Sequence, residues 1–145
     1  MLVVVHSCYN LQMNTYNWYQ TLIKPNWAPP SYLFGPVWTV LYFIIAGSFG
    51  YVFYMYYEKK IPFIVVLPFL LNLLFNFIFT PIQFGLQNNF LASIDIALVL
   101  TTLVWALISI HSFFPWVSYI NIPYVLWVCF ATVLQITITY LNWAK

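Results

Sequence analysis

Residues 61–85 read IPFIVVLPFLLNLLFNFIFTPIQFG, a stretch without a single charged side chain. An α-helix rises ~1.5 Å per residue, so about 20 apolar residues cross the ~30 Å hydrocarbon core of a bilayer. The stretch is long enough and apolar enough to be a transmembrane helix. Its few polar residues then lie inside a membrane, where they need partners within the protein.

The composition of the whole chain predicts the same environment. The 145 residues include four Lys or Arg and two Asp or Glu, whereas 64% are hydrophobic. Globular domains in water carry a charge on roughly a quarter of their residues, so lipid is expected to cover most of this surface. The formal net charge is only +2, which is too small for the basic surface that nucleic-acid binding requires. We therefore expect a multi-pass integral membrane protein, with the lipid bilayer as a partner and no nucleic acid.

Four stretches of the chain satisfy the length and hydropathy of a membrane span, at about 32–57, 61–85, 90–112 and 122–143. The links between them are short, which favours antiparallel neighbours in an up-down bundle. Residues 1–23 are shorter and more polar, so they predict a partial first helix, and residues 24–31 predict a proline-rich loop. The sequence thus predicts a single all-α domain over residues 1–145, a bundle of four full transmembrane helices plus a shortened first helix.

Polar residues recur at helical spacing along three of the spans and predict which faces point inward. They are Asn72, Asn76, Thr80 and Gln83 on the second span, Asp95, Thr102 and Ser109 on the third, and Thr132, Gln135, Thr139 and Asn142 on the fourth. Interhelical hydrogen bonding is the favoured role for the Thr and Ser residues. A structural role is favoured for Asn72, whereas structure and ligand contact are equally favoured for Asn76.

Asp95 is the only carboxylate within a predicted span. It could be a proton-linked or ligand-orienting group, or a buried tie between helices. A single acid forms no acid–base pair, so a structural contact between helices is slightly favoured for Asp95. The sequence shows no nucleophile–base pair and no metal cluster, so we predict no catalytic residue and no metal site. An interfacial position is favoured over haem ligation for His6 and His111.

Aromatic side chains also share helical faces in three spans. The pairs are Trp38 with Tyr42, Phe75 with Phe79, and Tyr124 with Trp127. Such faces are usually core, and spacing alone favours that interpretation. The alternative is a pocket for a planar hydrophobic ligand, because the small Ala131 one turn from Trp127 leaves room for a flat molecule.

Several separated motifs resemble the translocator protein family, also called tryptophan-rich sensory proteins or TspO/MBR. They are WY at 18–19, KPNWAPP at 24–30, FGPVWTVLY at 34–42, NLLFN at 72–76, FLASID at 90–95 and PYVLWVCFAT at 123–132. The resemblance covers the chain from about Trp18 to the end, with the motifs in the family's order. Where Gln135 stands, the family's last helix usually carries an asparagine.

The resemblance implies a five-helix membrane bundle, often a homodimer, that binds porphyrins, sterols and benzodiazepine-type drugs. Carried over to this sequence, the family's ligand pocket would comprise Tyr19, Trp38, Tyr42, Asn76, Phe79, Trp127 and Ala131. The loop containing Trp27, Pro29 and Pro30 would form a lid. The family's first helix precedes Trp18, where only 17 residues are available, so this helix is expected to be shortened.

The expected function is the binding of planar hydrophobic ligands in sensing, trafficking or stress response. No cofactor is expected to be required, and a porphyrin or similar haem-like tetrapyrrole is the implied ligand, with sterol-like molecules as a second class. Two alternatives stay open: a light-dependent porphyrin-degrading enzyme and a small-molecule transporter. Whether the protein is an enzyme is left undecided, although binding without catalysis is favoured.

Overall fold

The computed structural model describes residues 18–143, which are helical apart from short links and a loop, with no β-strand in this range. The helices are α1 (Phe34–Tyr57), α2 (Phe63–Thr80), α3 (Asn89–His111), α4 (Pro115–Ile120) and α5 (Ile122–Leu141). A 3₁₀ turn at Ser31–Leu33 leads into α1, and a π-helical turn at Pro81–Gly85 extends α2.

Four of these elements are long and apolar enough to cross a membrane, namely α1 with its 3₁₀ turn, α2 with its π-helical turn, α3 and α5. The predicted all-α membrane bundle with four long spans is therefore confirmed. Residues 18–21 form a short helical turn before the loop. The rest of the predicted partial first helix falls on residues 1–17, which lie outside the described residues.

Charge and proline explain where the helices begin and end. Helix α1 stops before Glu58, Lys59 and Lys60, and Lys59 reverses the chain in the left-handed region with a φ of 57°. Pro81 has no backbone N–H to continue the α-helical pattern. The turn that follows is wider, and the Leu86 N–H donates to the carbonyl oxygen of Pro81 at 2.9 Å.

The link between α3 and α5 contains a short helix. Residues 115–120 form the short helix α4, whose Val117 is fully buried. Pro115 stands at the first helical position, where a missing N–H leaves no hydrogen bond unmade, so the proline starts this helix instead of breaking it.

The bundle has two ends of different character. The closed end contains the last half of α1, the first half of α2, the last half of α3 and α4. Apolar side chains fill its interior, and the rings of Phe49 and Phe69 meet edge to face at 4.7 Å. Val52, Leu103 and Ile110 are completely buried there. The cavity end contains the beginnings of α1 and α3 and the ends of α2 and α5.

Hydrogen bonds made by residues of the predicted polar faces, such as Asn72 and Thr139, join the helices of the bundle. The Asn72 amide donates to the carbonyl oxygen of Val99 at 2.8 Å, which joins α2 to α3. The hydroxyls of Ser93 and Thr139 lie 2.6 Å apart and join α3 to α5. The polar face of α5 is buried along its length, as the spacing predicts.

Candidate ligand-binding cavity

A cavity of about 330 Å³ lies at the cavity end of the bundle, between α1, α2, α3, α5 and the helical turn at 18–21. Its walls are mainly aromatic and aliphatic. Tyr19 and Ser31 lie at its outer end, Trp38 and Asn76 lie further into the bundle, and Tyr42 lines the cavity while half of its side chain is exposed. Tyr124 does not line the cavity but is fully buried behind it, in contact with Trp38 and Asn76.

All seven residues that the resemblance assigns to a ligand pocket line this one cavity. They are Tyr19, Trp38, Tyr42, Asn76, Phe79, Trp127 and Ala131. They come from four separate parts of the chain, so only the folded bundle brings them together. Their contact with a ligand stays a prediction.

Ring-to-ring contacts hold the aromatic walls in place. Trp38 lies 5.3 Å from Tyr42 along α1, and Phe34 meets Trp127 of α5 edge to face at 5.7 Å. Tyr19 packs against Phe84 at 6.1 Å. Such tilted and edge-to-face pairs are the preferred arrangements of aromatic rings, so the walls are rigid as well as apolar.

A hydrogen-bonded chain at the deep end fixes the amide of Asn76. The Tyr124 hydroxyl donates to Oδ1 of Asn72 at 3.1 Å and accepts from Nδ2 of Asn76. Asn72 is itself held by its bonds to α3. Because Tyr124 accepts one N–H of the Asn76 amide, the second N–H and the carbonyl oxygen remain for a cavity ligand.

Two glutamines line the cavity as well, and the sequence prediction of the site did not include them. Gln135 Nε2 donates to Gln83 Oε1 at 3.0 Å, and Gln83 Nε2 donates to Asn89 Oδ1 at 3.2 Å. Both glutamines are buried. Helical spacing could have assigned both glutamines to the site, because Gln83 shares the polar face of Asn76 and Gln135 follows Ala131 by one turn.

Other cavity residues that the prediction missed are mostly apolar. They are Ser31, Phe34, Thr80, Phe84, Ile96, Leu134 and Ile138. Aliphatic side chains carry no sequence signal that separates a cavity wall from a packed core, so only coordinates could assign them.

Trp127 lies between the cavity and an outer groove. The same side chain lines the cavity and a groove between α1 and α5 that Val40 and Leu126 also border. Its indole nitrogen Nε1 is buried and has no hydrogen-bond partner among residues 18–143. A buried N–H without a partner is unfavourable, but this nitrogen has almost no accessible surface, so an acceptor in the cavity could reach it only if the indole turned.

The predicted lid loop lies beside the outer end of the cavity. Trp27 packs edge to face on Phe130 at 5.9 Å, and Phe130 contacts Trp127 at 5.6 Å. Pro30 precedes the 3₁₀ turn, and Pro29 is half-buried. None of Trp27, Pro29 and Pro30 is among the cavity-lining residues, so their role as a lid stays a prediction.

Asp95 is buried but does not line the cavity. Only 4% of it is exposed, and its Oδ2 has no hydrogen-bond partner within the described range. The next residue, Ile96, does line the cavity, so the carboxyl group lies behind the wall. His111 packs on Tyr119 at the closed end, away from the cavity, and His6 is outside the described residues. In residues 18–143, no three His, Cys, Asp or Glu side chains group as metal ligands do.

Burial favours the neutral form of the Tyr19 phenol at the outer end of the cavity. It raises the pKa of the Tyr19 phenol above its ordinary value, because the phenolate would lose its hydration. Tyr19 is therefore neutral at physiological pH and presents an aromatic face and a hydroxyl group.

Comparison with known proteins gives a consistent set of relatives. The model of the TspO/MBR family matches residues 1–141. The tryptophan-rich protein TspO of Bacillus cereus is 38% identical, over 86% of this chain and 80% of the relative. TspO of Chlorobaculum tepidum is 32% identical over 86% of this chain and 79% of its own. The human translocator protein is 32% identical over 87% of this chain and 73% of its own. The chain therefore belongs to the TspO/MBR family of membrane proteins.

Proposed function

We propose that this protein binds planar hydrophobic ligands, above all porphyrins and related tetrapyrroles, in the cavity between α1, α2, α3 and α5. The observation that carries the proposal is the convergence of the seven cavity residues around about 330 Å³ of space. That volume is at the lower end of the range for small-molecule pockets. A ring larger than the cavity would project past Tyr19 at its outer end.

The walls suit a flat molecule with a few polar groups. The faces of Trp38 and Trp127 offer stacking surfaces, and Ala131 provides clearance between the bulky neighbours. After a turn of the Trp127 indole, its unpaired N–H would donate to a carbonyl or carboxylate, and the carbonyl oxygen of Asn76 would accept from a ring N–H or a hydroxyl. Sterol-like molecules are a second ligand class that the apolar walls could hold.

The names of the relatives support a role beyond simple storage. They include tryptophan-rich sensory protein in Cereibacter sphaeroides and translocator protein in humans. We propose that ligand occupancy serves sensing, trafficking or stress response. The tetrapyrrole is then an exchangeable ligand, not a permanently bound cofactor.

The test is titration of protoporphyrin into the purified protein in detergent, followed by porphyrin absorbance. Ala131→Trp should fill the cavity and weaken binding at least tenfold, about 1.4 kcal/mol. The matched control is Val133→Trp, two residues further along α5, where the side chain is 57% exposed on the outer face. Identical binding curves for wild type and Ala131→Trp would contradict the proposal.

A second variant tests the hydrogen bond separately from the cavity. Trp127→Phe keeps an aromatic ring but removes the N–H. We expect porphyrin affinity to fall roughly twofold to tenfold, the range of a single hydrogen bond. Absorbance is the measurement here, because removing a tryptophan alters the fluorescence signal directly.

A further inference from the structure

We infer that Lys24 binds an anionic group of the ligand at the outer end of the cavity, so that the site prefers planar hydrophobic molecules that carry a carboxylate. This inference rests on the proposed function and specifies its ligand class. It concerns a residue outside the set that lines the cavity.

The ammonium group of Lys24 lies against the cavity wall. Its Nζ is 4.4 Å from the centroid of the Tyr19 ring, within the range of a cation–π contact. Tyr19 itself lines the cavity. The positive charge therefore lies in contact with a residue of the cavity wall.

A second connection places the same charge at the cavity opening. Lys24 Nζ donates to Oε1 of Gln20 at 3.2 Å, and Gln20 Nε2 donates to the Ser31 hydroxyl at 3.3 Å. Ser31 lines the cavity as well. Tyr19, Gln20, Lys24 and Ser31 form what we call the rim, a polar and cationic border at the outer end of the cavity.

The charge of the rim is not neutralised by any described acidic residue. Within residues 18–143, Lys24 forms no ion pair, and the only acidic side chains are Glu58 at the closed end and Asp95 behind the cavity wall. Tyr19 is neutral, so the cation–π contact leaves the full positive charge in place. Lys59 and Lys60 lie beyond the end of α1, at the opposite end of the bundle.

This arrangement fits an amphiphile with its apolar ring in the cavity and its carboxylates at the opening. A carboxylate at the rim could pair with the Lys24 ammonium in a charge-assisted hydrogen bond, the stronger class of such bonds. The Ser31 hydroxyl and the Gln20 amide lie next to the same point. A lipid phosphate offers similar anionic oxygens, so the experiment has to separate the carboxylate of the ligand from the headgroup of a lipid.

The experiment compares protoporphyrin, which carries two carboxylates, with its neutral dimethyl ester, which has the same ring. Both are titrated into the full chain in a non-ionic detergent without added lipid. We expect wild type to bind the diacid about tenfold tighter than the diester at low salt. High salt should reduce the preference, because it screens an exposed ion pair.

Lys24→Gln should abolish the preference by weakening diacid binding to the level of the diester, while diester affinity stays unchanged. The unchanged diester affinity also shows that the variant is folded. Lys24→Arg should restore most of the preference, and Lys60→Gln at the closed end should leave it intact. An undiminished preference in Lys24→Gln would overturn the inference. Equal wild-type affinities for diacid and diester would also overturn it, and would leave a lipid phosphate as the anion for Lys24.

Failure of the inference and failure of the proposed function give different results. If Ala131→Trp blocks both compounds but Lys24→Gln alters neither, cavity binding stands and the role of Lys24 is wrong. If wild type binds neither compound, or Ala131→Trp changes neither affinity, cavity binding is wrong and the inference falls with it.

Discussion

The closed end and the cavity end share helices α1, α2 and α3, yet aromatic side chains pack against one another inside the closed end and line a hollow at the cavity end. At the closed end, Phe49 and Phe69 meet in the bundle centre and leave no space between α1 and α2. At the cavity end, the aromatic side chains of α1 and α5 contact one another around the space and do not fill it. The direction and size of individual side chains decide where the bundle is open.

The two ends also differ in how polar groups are used. At the cavity end, Gln83, Gln135 and Asn89 form a hydrogen-bonded wall, and Tyr124 links Asn72 to Asn76. At the closed end, the interior is almost wholly apolar, with the Asn121–Ser48 bond of 2.9 Å as its main polar tie. Polar side chains that are fixed by one another can border a hollow without collapsing into it, whereas apolar side chains pack.

The largest effect should come from the same substitution at both ends of α2. Phe69→Ala removes a completely buried ring and should destabilise the protein by about 3 kcal/mol, the lower part of the range for such truncations. Phe79→Ala should cost about 1 kcal/mol or less, because Phe79 already borders empty space and loses fewer contacts. Thermal unfolding in detergent measures both.

Ligand binding should respond in the opposite sense to these two variants. Phe79→Ala should weaken porphyrin binding, and Phe69→Ala should leave it within a factor of two at temperatures where the protein is folded. If Phe79→Ala were the more destabilising variant, or if Phe69→Ala alone impaired binding, the distinction between a packed end and an open end would be wrong.

An intermediate effect is expected from Tyr124→Phe, at the boundary between the two ends. The variant keeps the buried ring but removes the hydroxyl that bonds Asn72 and Asn76. Interhelical hydrogen bonds in bilayers average ~0.6 kcal/mol, so the loss of two should cost about 1 kcal/mol. Tyr140→Phe is the control, because Tyr140 is 80% exposed.

Porphyrin affinity should also fall in Tyr124→Phe, since the freed Asn76 amide can rotate and no longer holds its carbonyl oxygen towards the ligand. If the variant had the melting temperature and porphyrin affinity of the wild type, the Tyr124 hydrogen bonds would neither stabilise the bundle nor position Asn76.

Sequence reasoning identified the membrane bundle because hydropathy and helical spacing are local signals. The four spans, and the polar faces containing Asn76 and Gln135, follow from them. The cavity was harder to predict, because Trp38 and Trp127 on a helix face are equally compatible with a packed core. Spacing offered a pocket only as the alternative to a core, and the family resemblance favoured the pocket. Its outer rim could not be predicted, because the contacts of Lys24 with Tyr19 and Gln20 depend on how the loop folds back.

The smallest effect on global stability should come from Asn142, although it should alter the loop at the cavity end. Its side chain accepts from the Ile23 N–H at 3.0 Å and donates to the Ile23 carbonyl oxygen at 2.9 Å, so one residue joins the loop to the end of α5. The link at the closed end has no such dependence, because backbone bonds such as Lys60 N–H to Met55 O at 3.0 Å hold it.

Asn142→Ala should therefore lower global stability by less than about 1 kcal/mol, while hydrogen exchange at the Ile23 amide accelerates at least tenfold. Exchange in residues 58–62 should not change, and Tyr140→Ala serves as the control on the exposed face of α5. Unaltered exchange at Ile23 would mean that contacts other than the Asn142 side chain hold the loop, with Trp27 on Phe130 the first to examine.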